Sequence, residues 1–180
     1  MPILVVVSGP PGSGKTQLAH AIARAIGCPV ISRDEIKEGM VHGSRGEFTA
    51  AIGDALTART FPLFFDVLRL LLTEGVTVVA EAAFQDQRWQ LGLEPLAGLA
   101  ELRIIHCTVS DALARERIAR RSTEEPSRAA HADRALLAAG ASSGPFRRIS
   151  ITAPSLEVDT TDGYAPSLAE IVRFISTAHV

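Results

Sequence analysis

The stretch GPPGSGKT at residues 9–16 directly follows the apolar run ILVVVS at residues 3–8. It fits the pattern G-x-x-x-x-G-K-S/T, in which backbone N–H groups of a glycine-rich turn point at the phosphate oxygens of a nucleotide. The β-branched run before it predicts a buried strand, and Leu18, Ile22 and Ile26 recur after it at helical spacing. A strand, a glycine-rich turn and a helix in this order predict a phosphate-binding P-loop, because a chance turn would lack that context.

Individual residues of the P-loop have distinct expected roles. Phosphate is favoured near the first residues of the following helix, where the helix dipole is positive. We expect Lys15 to reach the outer phosphates and to take part in any transfer reaction, and the Thr16 hydroxyl to bind Mg²⁺. The expected nucleotide-binding residues of this stretch are Gly9, Gly12, Ser13, Gly14, Lys15 and Thr16.

Strand and helix patterns alternate along the chain of 180 residues, a length typical of one domain. Alternation of this kind predicts an α/β three-layer sandwich with a mainly parallel, five-stranded sheet. After the first strand, the pattern predicts strands at residues 29–32, 76–84 and 102–109 and within 155–161, a long helix at 47–74 that bends at Pro62, and a closing helix at 166–178. Residues 138–148 are expected to form the longest loop.

The composition argues against several classes of partner. The formal net charge is −2, so no overall cationic field attracts nucleic acid, and a long nucleic-acid partner is not expected. The N-terminus lacks the basic region of a signal peptide, and no apolar run approaches membrane-spanning length. Cys28 and Cys107 show no disulfide or metal-binding pattern, which is typical of a cytoplasmic protein.

Three kinds of protein use a P-loop: phosphotransferases, mechanical ATPases and GTP switches. The N-K-x-D motif of a GTPase does not occur here. A motor usually has an Asp-Glu pair at the end of an apolar strand and a further helical domain. In this chain the third predicted strand ends in VVAEAA at residues 78–83, where Glu81 is the single acidic residue. The phosphotransferase interpretation is therefore favoured.

The sequence ISRDEIKEG at residues 31–39 follows the second predicted strand and contains Asp34. Ligands of open parallel sheets bind beyond the carboxyl ends of the strands, so Asp34 and the P-loop should face one crevice. A carboxylate there could accept the proton of an attacking hydroxyl. The alternative is a first-turn acid beside a capping box formed by Ser32 and Glu35, which would leave Asp34 without a structural task.

The P-loop, ISRDEIKEG and a later arginine-rich segment together resemble small P-loop kinases. These include the kinase domain of polynucleotide 5′-kinase, chloramphenicol phosphotransferase and zeta-toxin-like kinases. The resemblance implies the P-loop NTP hydrolase fold, the strand order 2-3-1-4-5, and an arginine-rich lid at about residues 115–130. It also implies that Asp34 is the catalytic base and that Lys37 binds an acceptor phosphate. Alternatively, Lys37 pairs with Asp34 on the helix surface.

The arginine-rich segment ALARERIARRSTEEPSR begins at residue 112. Arg117, Arg120 and Arg121 share a helical face. As lid residues they would neutralise charge on the transferring phosphoryl group, with Arg117 and Arg121 the best catalytic candidates and Arg120 a candidate for nucleotide binding. The alternative is a solvated helix whose arginines pair with neighbouring glutamates.

Weaker candidates complete the predicted site. Glu81 could hold an acceptor hydroxyl or a Mg²⁺-bound water, or be a buried carboxylate held by an arginine. Asp159 and Thr160 follow the fifth strand and could flank the adenine, or form a turn that satisfies its own backbone. Arg45 lies in a glycine-rich stretch and could contact an anionic acceptor.

These residues together predict an ATP- and Mg²⁺-dependent kinase that acts on a hydroxyl of a small-molecule acceptor. A polynucleotide or nucleotide 5′-kinase and a non-kinase ATP-binding regulatory module stay as alternatives. The sequence names neither the acceptor nor the oligomeric state.

Overall fold

A computed structural model of the protein describes residues 1–44, 48–51, 53–84, 87–124, 127, 130–131 and 146–177, with only the backbone described at 87–88. The strands are β1 (Ile3–Ser8), β2 (Val30–Ser32), β3 (Val78–Glu81), β4 (Glu101–Thr108) and β5 (Ser155–Asp159). The helices are α1 (Lys15–Ile26), α2 (Arg33–Gly43), α3 (Ala55–Thr73), α4 (Gln87–Leu93), α5 (Asp111–Glu124) and α6 (Leu168–Ser176).

The five strands form one sheet in the order β2-β3-β1-β4-β5, and every pairing is parallel. This confirms the predicted fold class and strand order. The register aligns Val7 of β1 and Ser32 of β2 with Glu81 of β3. The carboxyl ends of these three strands therefore meet at one edge of the sheet, which is where open α/β sheets bind ligands.

Helices cover both faces of the sheet. On one face, Leu18 and Ile22 of α1 share an apolar cluster with Ile171 and Ile175 of α6. On the other face, α3 contributes Phe64, Leu68 and Leu72 to a second cluster, and Trp89 of α4 packs against the α3 aromatic rings. Two apolar faces explain why β1 is a continuous hydrophobic run and not an alternating one.

The third helix begins later than the sequence pattern predicts. The prediction started it at residue 47, but residues 48–51 are not helical and α3 begins at Ala55. Asp54 sets this start, because its Oδ1 accepts a 2.8 Å hydrogen bond from the backbone N–H of Thr57. The predicted Pro62 does lie inside α3.

Two further elements differ from the prediction. Strand β3 spans Val78–Glu81 and is shorter than the predicted 76–84, and α4 was not predicted at all. Most of the expected loop at 138–148 lies outside the described residues. None of the described helices is both long enough and apolar enough to cross a membrane.

Candidate active site

A cavity of about 430 Å³ opens at the carboxyl ends of β1, β2 and β3. The P-loop, the start of α2 and the exposed face of α5 form its walls. The lining residues are Gly12, Gly14, Lys15, Thr16, Gln17, Ser32, Asp34, Glu35, Glu38, Arg117, Arg120, Arg121, Glu124 and Ser127. Four of the six predicted phosphate-binding residues, Gly12, Gly14, Lys15 and Thr16, thus border the same space as Asp34.

The P-loop backbone leaves hydrogen-bond donors available at the start of α1. Gly14 precedes the helix with φ 72°, a left-handed conformation that favours glycine, and no side chain caps the first turn. A Cβ on Gly12, where φ is 78°, would lie only 2.4 Å from the carbonyl oxygen of Ala114. Both positions therefore need glycine, one for its conformation alone and one for space as well.

The same loop contains a buried hydroxyl without a protein partner. The Ser13 side chain is fully buried, and its Oγ has no hydrogen-bond partner within the described part of the chain. Buried polar groups usually form hydrogen bonds, so a buried hydroxyl without one inside a glycine-rich turn fits a ligand that supplies acceptor oxygens. Together with the uncapped helix start, it shows that these residues fit a phosphate group.

Lys15 is the cation of the P-loop, and it lies above a buried carboxylate. Its Nζ is 3.8 Å from Oε1 of Glu81, whose other oxygen accepts a 2.6 Å hydrogen bond from the Ser32 hydroxyl. Burial raises the pKa of Glu81, the charge of Lys15 opposes that rise, and Asp34 adds to it. The carboxylate is therefore held by a lysine and a serine, and not by an arginine.

The donor set for a metal ion is small. Among the described residues, no group of three His, Cys, Asp or Glu side chains is arranged to hold a metal. The Thr16 hydroxyl lines the cavity. That arrangement fits Mg²⁺, which proteins commonly bind through one or two side chains with substrate phosphates and water as the remaining ligands.

Asp34 occupies the first turn of α2, lines the cavity, and has 38% of its side chain exposed. Its Oδ1 accepts a 3.2 Å hydrogen bond from Arg33. The predicted capping box forms only in half: the Ser32 hydroxyl accepts from the Glu35 backbone N–H at 3.4 Å, but the Glu35 carboxylate contacts His20 Nε2 at 2.6 Å. Asp34 takes no part in capping and is positioned to meet a ligand.

His131 is a site residue that the sequence analysis missed. Its Nε2 lies 2.9 Å from Oε1 of Glu38, and its Nδ1 lies 4.0 Å from Oδ2 of Asp34. The ring is nearly buried, with 9% of the side chain exposed. No sequence signal could have found it, since it is 93 residues from Glu38 and belongs to no motif.

Lys37 does not face the cavity. Its side chain is 3% exposed, and its Nζ lies 2.7 Å from Oδ2 of Asp54 and 5.6 Å from the centre of the Phe48 ring. The ammonium group therefore ties α2 to the start of α3. The contact with Asp54 also corrects the alternative that paired Lys37 with Asp34 on the helix surface.

The arginines of α5 lie over the P-loop with different partners. Arg117 donates to the Thr160 carbonyl at 2.7 Å, to the Thr160 hydroxyl at 3.2 Å and to the Gly12 carbonyl at 3.5 Å. Arg120 lies 3.9 Å from Glu124 on an exposed face. Arg120 and Arg121 both line the cavity. Arg117 lines the cavity too, but its guanidinium also braces the P-loop through these hydrogen bonds.

The loop after β5 also forms hydrogen bonds with the P-loop. Thr160 is 5% exposed, and its hydroxyl lies 2.8 Å from the Ser13 carbonyl oxygen, to which it donates. Asp159 is exposed and accepts a 2.7 Å hydrogen bond from the Thr161 backbone, which is the self-satisfied turn of the alternative interpretation. Hydrogen bonds from the side chain and then the backbone of Thr161 lower the pKa of the Asp159 carboxyl. Arg45 lies outside the described residues.

The all-parallel sheet in this order, with a P-loop after β1 and a carboxylate after β2, defines a small P-loop kinase fold. A family described as an AAA domain matches residues 4–143, and the chain belongs to this family. That description names a P-loop domain and no reaction. Among proteins of curated function, none matches the sequence.

Several solved structures of similar fold are described as kinases. A proposed kinase from Chloroflexus aurantiacus J-10-fl shares 25% identity at a TM-score of 0.81, over 97% of this chain and 96% of that one. The gluconokinase of Sinorhizobium meliloti 1021 shares 22% at 0.53, over 97% and 89% of the two chains. The APS kinase of Mycobacterium tuberculosis shares 16% at 0.65, over 98% of each. The resemblance to small P-loop kinases is therefore confirmed, and the chain is a kinase-type P-loop protein.

Proposed function

We propose that the protein transfers the γ-phosphoryl group of ATP to a hydroxyl of a small-molecule acceptor. One observation carries the proposal: Lys15 and Thr16 of the P-loop and the carboxylate of Asp34 line a single cavity. Phosphoryl transfer needs few protein groups beyond positioning and charge neutralisation, and these three supply a phosphate grip facing a carboxylate.

Asp34 accepts the proton of the acceptor hydroxyl. The acceptor oxygen then forms a bond to the γ-phosphorus, while the bond between that phosphorus and the β–γ bridging oxygen breaks and ADP leaves. Arg33 donates to the Asp34 carboxylate at 3.2 Å and so helps to orient it. Glu81 makes no direct contact with the acceptor in this scheme. Its carboxylate holds Lys15 in place through their ion pair.

Cationic groups stabilise the charge that spreads over the transferring group. Lys15 neutralises the outer phosphates, and Arg121 and Arg120 border the cavity from α5. Arg117 acts indirectly, because its guanidinium holds Gly12 and Thr160. Mg²⁺, bound beside the Thr16 hydroxyl and the phosphates, would supply further charge neutralisation.

The cavity favours a small acceptor. Its volume of about 430 Å³ lies in the range of small-ligand pockets, and it must also admit the end of a triphosphate. Lys37 and the local motif around Asp34 favour a polynucleotide acceptor, but the Lys37 ammonium group is buried against Asp54. We therefore propose a small alcohol-bearing molecule and not a 5′-hydroxyl end of nucleic acid.

The test is a screen of ATP consumption against a library of hydroxyl compounds, followed by Asp34→Asn with the best acceptor. We expect the variant to bind ATP within about twofold of wild type and to lose about 10²–10⁴-fold in kcat, the usual contribution of a general base. Asp66→Asn is the matched control, because this exposed carboxylate on α3 pairs with Arg69 and does not line the cavity.

Two results would contradict the proposal. Unchanged turnover in Asp34→Asn would remove Asp34 from the reaction. ATP binding with no phosphorylated product from any hydroxyl compound would instead support a nucleotide-binding regulatory module.

A further inference from the structure

His131 connects two parts of the site that are distant in sequence. It follows α5, yet its ring packs against two carboxylates of α2, Glu38 at 2.9 Å and Asp34 at 4.0 Å. Asp34 and Glu38 are four residues apart and so lie on one face of the helix. The imidazole therefore sits beside the candidate base and is anchored by a second acid one turn further on.

The protonation state of the ring decides what Asp34 meets. In the neutral ring, the Nε2–H donates to Glu38, so Nδ1 carries a lone pair and offers Asp34 no proton. In the protonated ring, Nδ1–H faces the Asp34 carboxylate and adds a positive charge at 4.0 Å. A cation at this distance favours the ionised carboxylate and makes it a weaker base.

Other charged groups face this pair from several elements: the buried Glu81 interacts electrostatically with Asp34, and Lys15 and Glu35 line the same cavity. Arg33 lies 3.2 Å from Asp34 on the same helix. Across the cavity, α5 presents Arg121 and Glu124. Of these groups, His131 is the one whose ordinary charge change falls near neutral pH.

We propose that His131 is a positioning residue for Asp34, which it holds toward the cavity and whose basicity it sets through its own protonation. The role of Asp34 in transfer rests on the proposed function; the coupling between the two side chains does not. When His131 loses its proton, the Asp34 carboxylate becomes a stronger base. The rate of phosphoryl transfer should therefore rise with pH through the titration of this ring.

The coupling can be measured without any acceptor. In the full chain with ¹³C-labelled histidine, the His131 ring signal is assigned by its loss in His131→Gln and is then titrated by NMR. We expect Asp34→Asn and Glu38→Gln each to lower the His131 midpoint by about 0.5 pH unit or more, since each removes a charge that stabilises the imidazolium. The control Glu35→Gln removes a carboxylate that contacts His20, and it should leave the His131 midpoint in place. An unchanged His131 midpoint in Asp34→Asn would overturn the proposal.

The second measurement uses ATP and the acceptor that the hydroxyl-compound screen selects. Wild-type kcat should rise about fivefold to tenfold across the His131 midpoint. His131→Gln, whose amide can still donate to Glu38, should lose that pH step with the KM for ATP within about twofold, while His20→Asn keeps it. A pH step that persists in His131→Gln would overturn the role in transfer. If the screen finds no acceptor, the proposed function fails, and the NMR titration alone still supports or overturns the coupling.

Discussion

The cavity has two walls of opposite charge and different construction. The phosphate wall consists of Lys15, Arg120 and Arg121 over the P-loop backbone, and the acceptor wall consists of Asp34 and its neighbours Glu35 and Glu38 on α2. Phosphoryl transfer needs both, because one wall binds an anion and the other must receive a proton.

The phosphate wall is made mainly by local backbone geometry. Its left-handed glycines, its orphan Ser13 hydroxyl and the start of α1 all fall within one short stretch. The acceptor wall depends on side chains brought together from distant positions: His20 with Glu35, and His131 with Glu38. One wall can therefore be recognised from a motif, and the other requires the folded chain.

The largest expected effect comes from removing the cation of the phosphate wall. Lys15→Met should lower kcat/KM by about 10³-fold, because it removes a nearly buried positive charge that would stabilise the phosphates. Steady-state kinetics with ATP and the selected acceptor would measure the loss. The result would show whether the phosphate wall depends on its charge or on its backbone alone.

A control separates this loss from damage to folding. Lys15→Met leaves Glu81 buried beside an apolar side chain, so its raised pKa should rise further. The double variant Lys15→Met with Glu81→Gln removes that charge. If the double variant regains activity, the loss in Lys15→Met came from the Glu81 carboxylate, left buried without its lysine, and not from missing phosphate contacts.

The sequence allowed the phosphate wall and the sheet to be predicted almost in full. The motif specifies a backbone path, and apolar runs mark the strands whatever their tertiary partners. It also placed Asp34, because a residue just after β2 must reach the same sheet edge. It could not find His131, whose partner Glu38 lies 93 residues away, and it named Arg117 as a lid residue without its contact to Thr160, 43 residues away. It missed the start of α3 because a single Asp54 cap outweighed the helical pattern before it.

A second prediction concerns stability on the acceptor side. Lys37 and Asp54 form a nearly buried ion pair, with side chains 3% and 9% exposed, that joins α2 to α3. Lys37→Met should lower the free energy of unfolding by about 3 kcal/mol, because it strands a buried carboxylate that also caps α3. Denaturant unfolding would measure this, and Lys37→Met with Asp54→Asn should recover part of the loss.

The pH dependence of stability provides an independent check on this pair. Burial raises the pKa of Asp54, but hydrogen bonds from Lys37 and Thr57 outweigh that and lower it from 3.8 to about 2. A lowered pKa in the folded state adds stability above the unfolded value, and that stability is lost as pH falls from about 4 to about 2. Lys37→Met should lose less stability than wild type over that window. Parallel curves for the two proteins would show that Lys37 does not lower the Asp54 pKa.

The smallest expected effect tests how far the phosphate wall depends on contacts outside its own stretch. Thr160→Val keeps the shape of the side chain and removes the hydroxyl that bonds the Ser13 carbonyl and accepts from Arg117. We expect a loss of about 1 kcal/mol in unfolding free energy, and affinity for a non-hydrolysable ATP analogue about twofold to fivefold weaker.

Thr161→Val is the matched control, because Arg117 contacts the Thr161 carbonyl oxygen and the side-chain hydrogen bond of Thr161 goes to Asp159, which lies outside the P-loop. Its stability and affinity should stay within about 0.5 kcal/mol of wild type. Equal affinity in Thr160→Val and Thr161→Val would mean that the P-loop holds its shape without the loop after β5. The shape of the phosphate wall would then depend on its own short stretch of sequence, even though Arg117 links it to the loop after β5. The acceptor wall, which needs contacts between distant residues, would differ from it all the more.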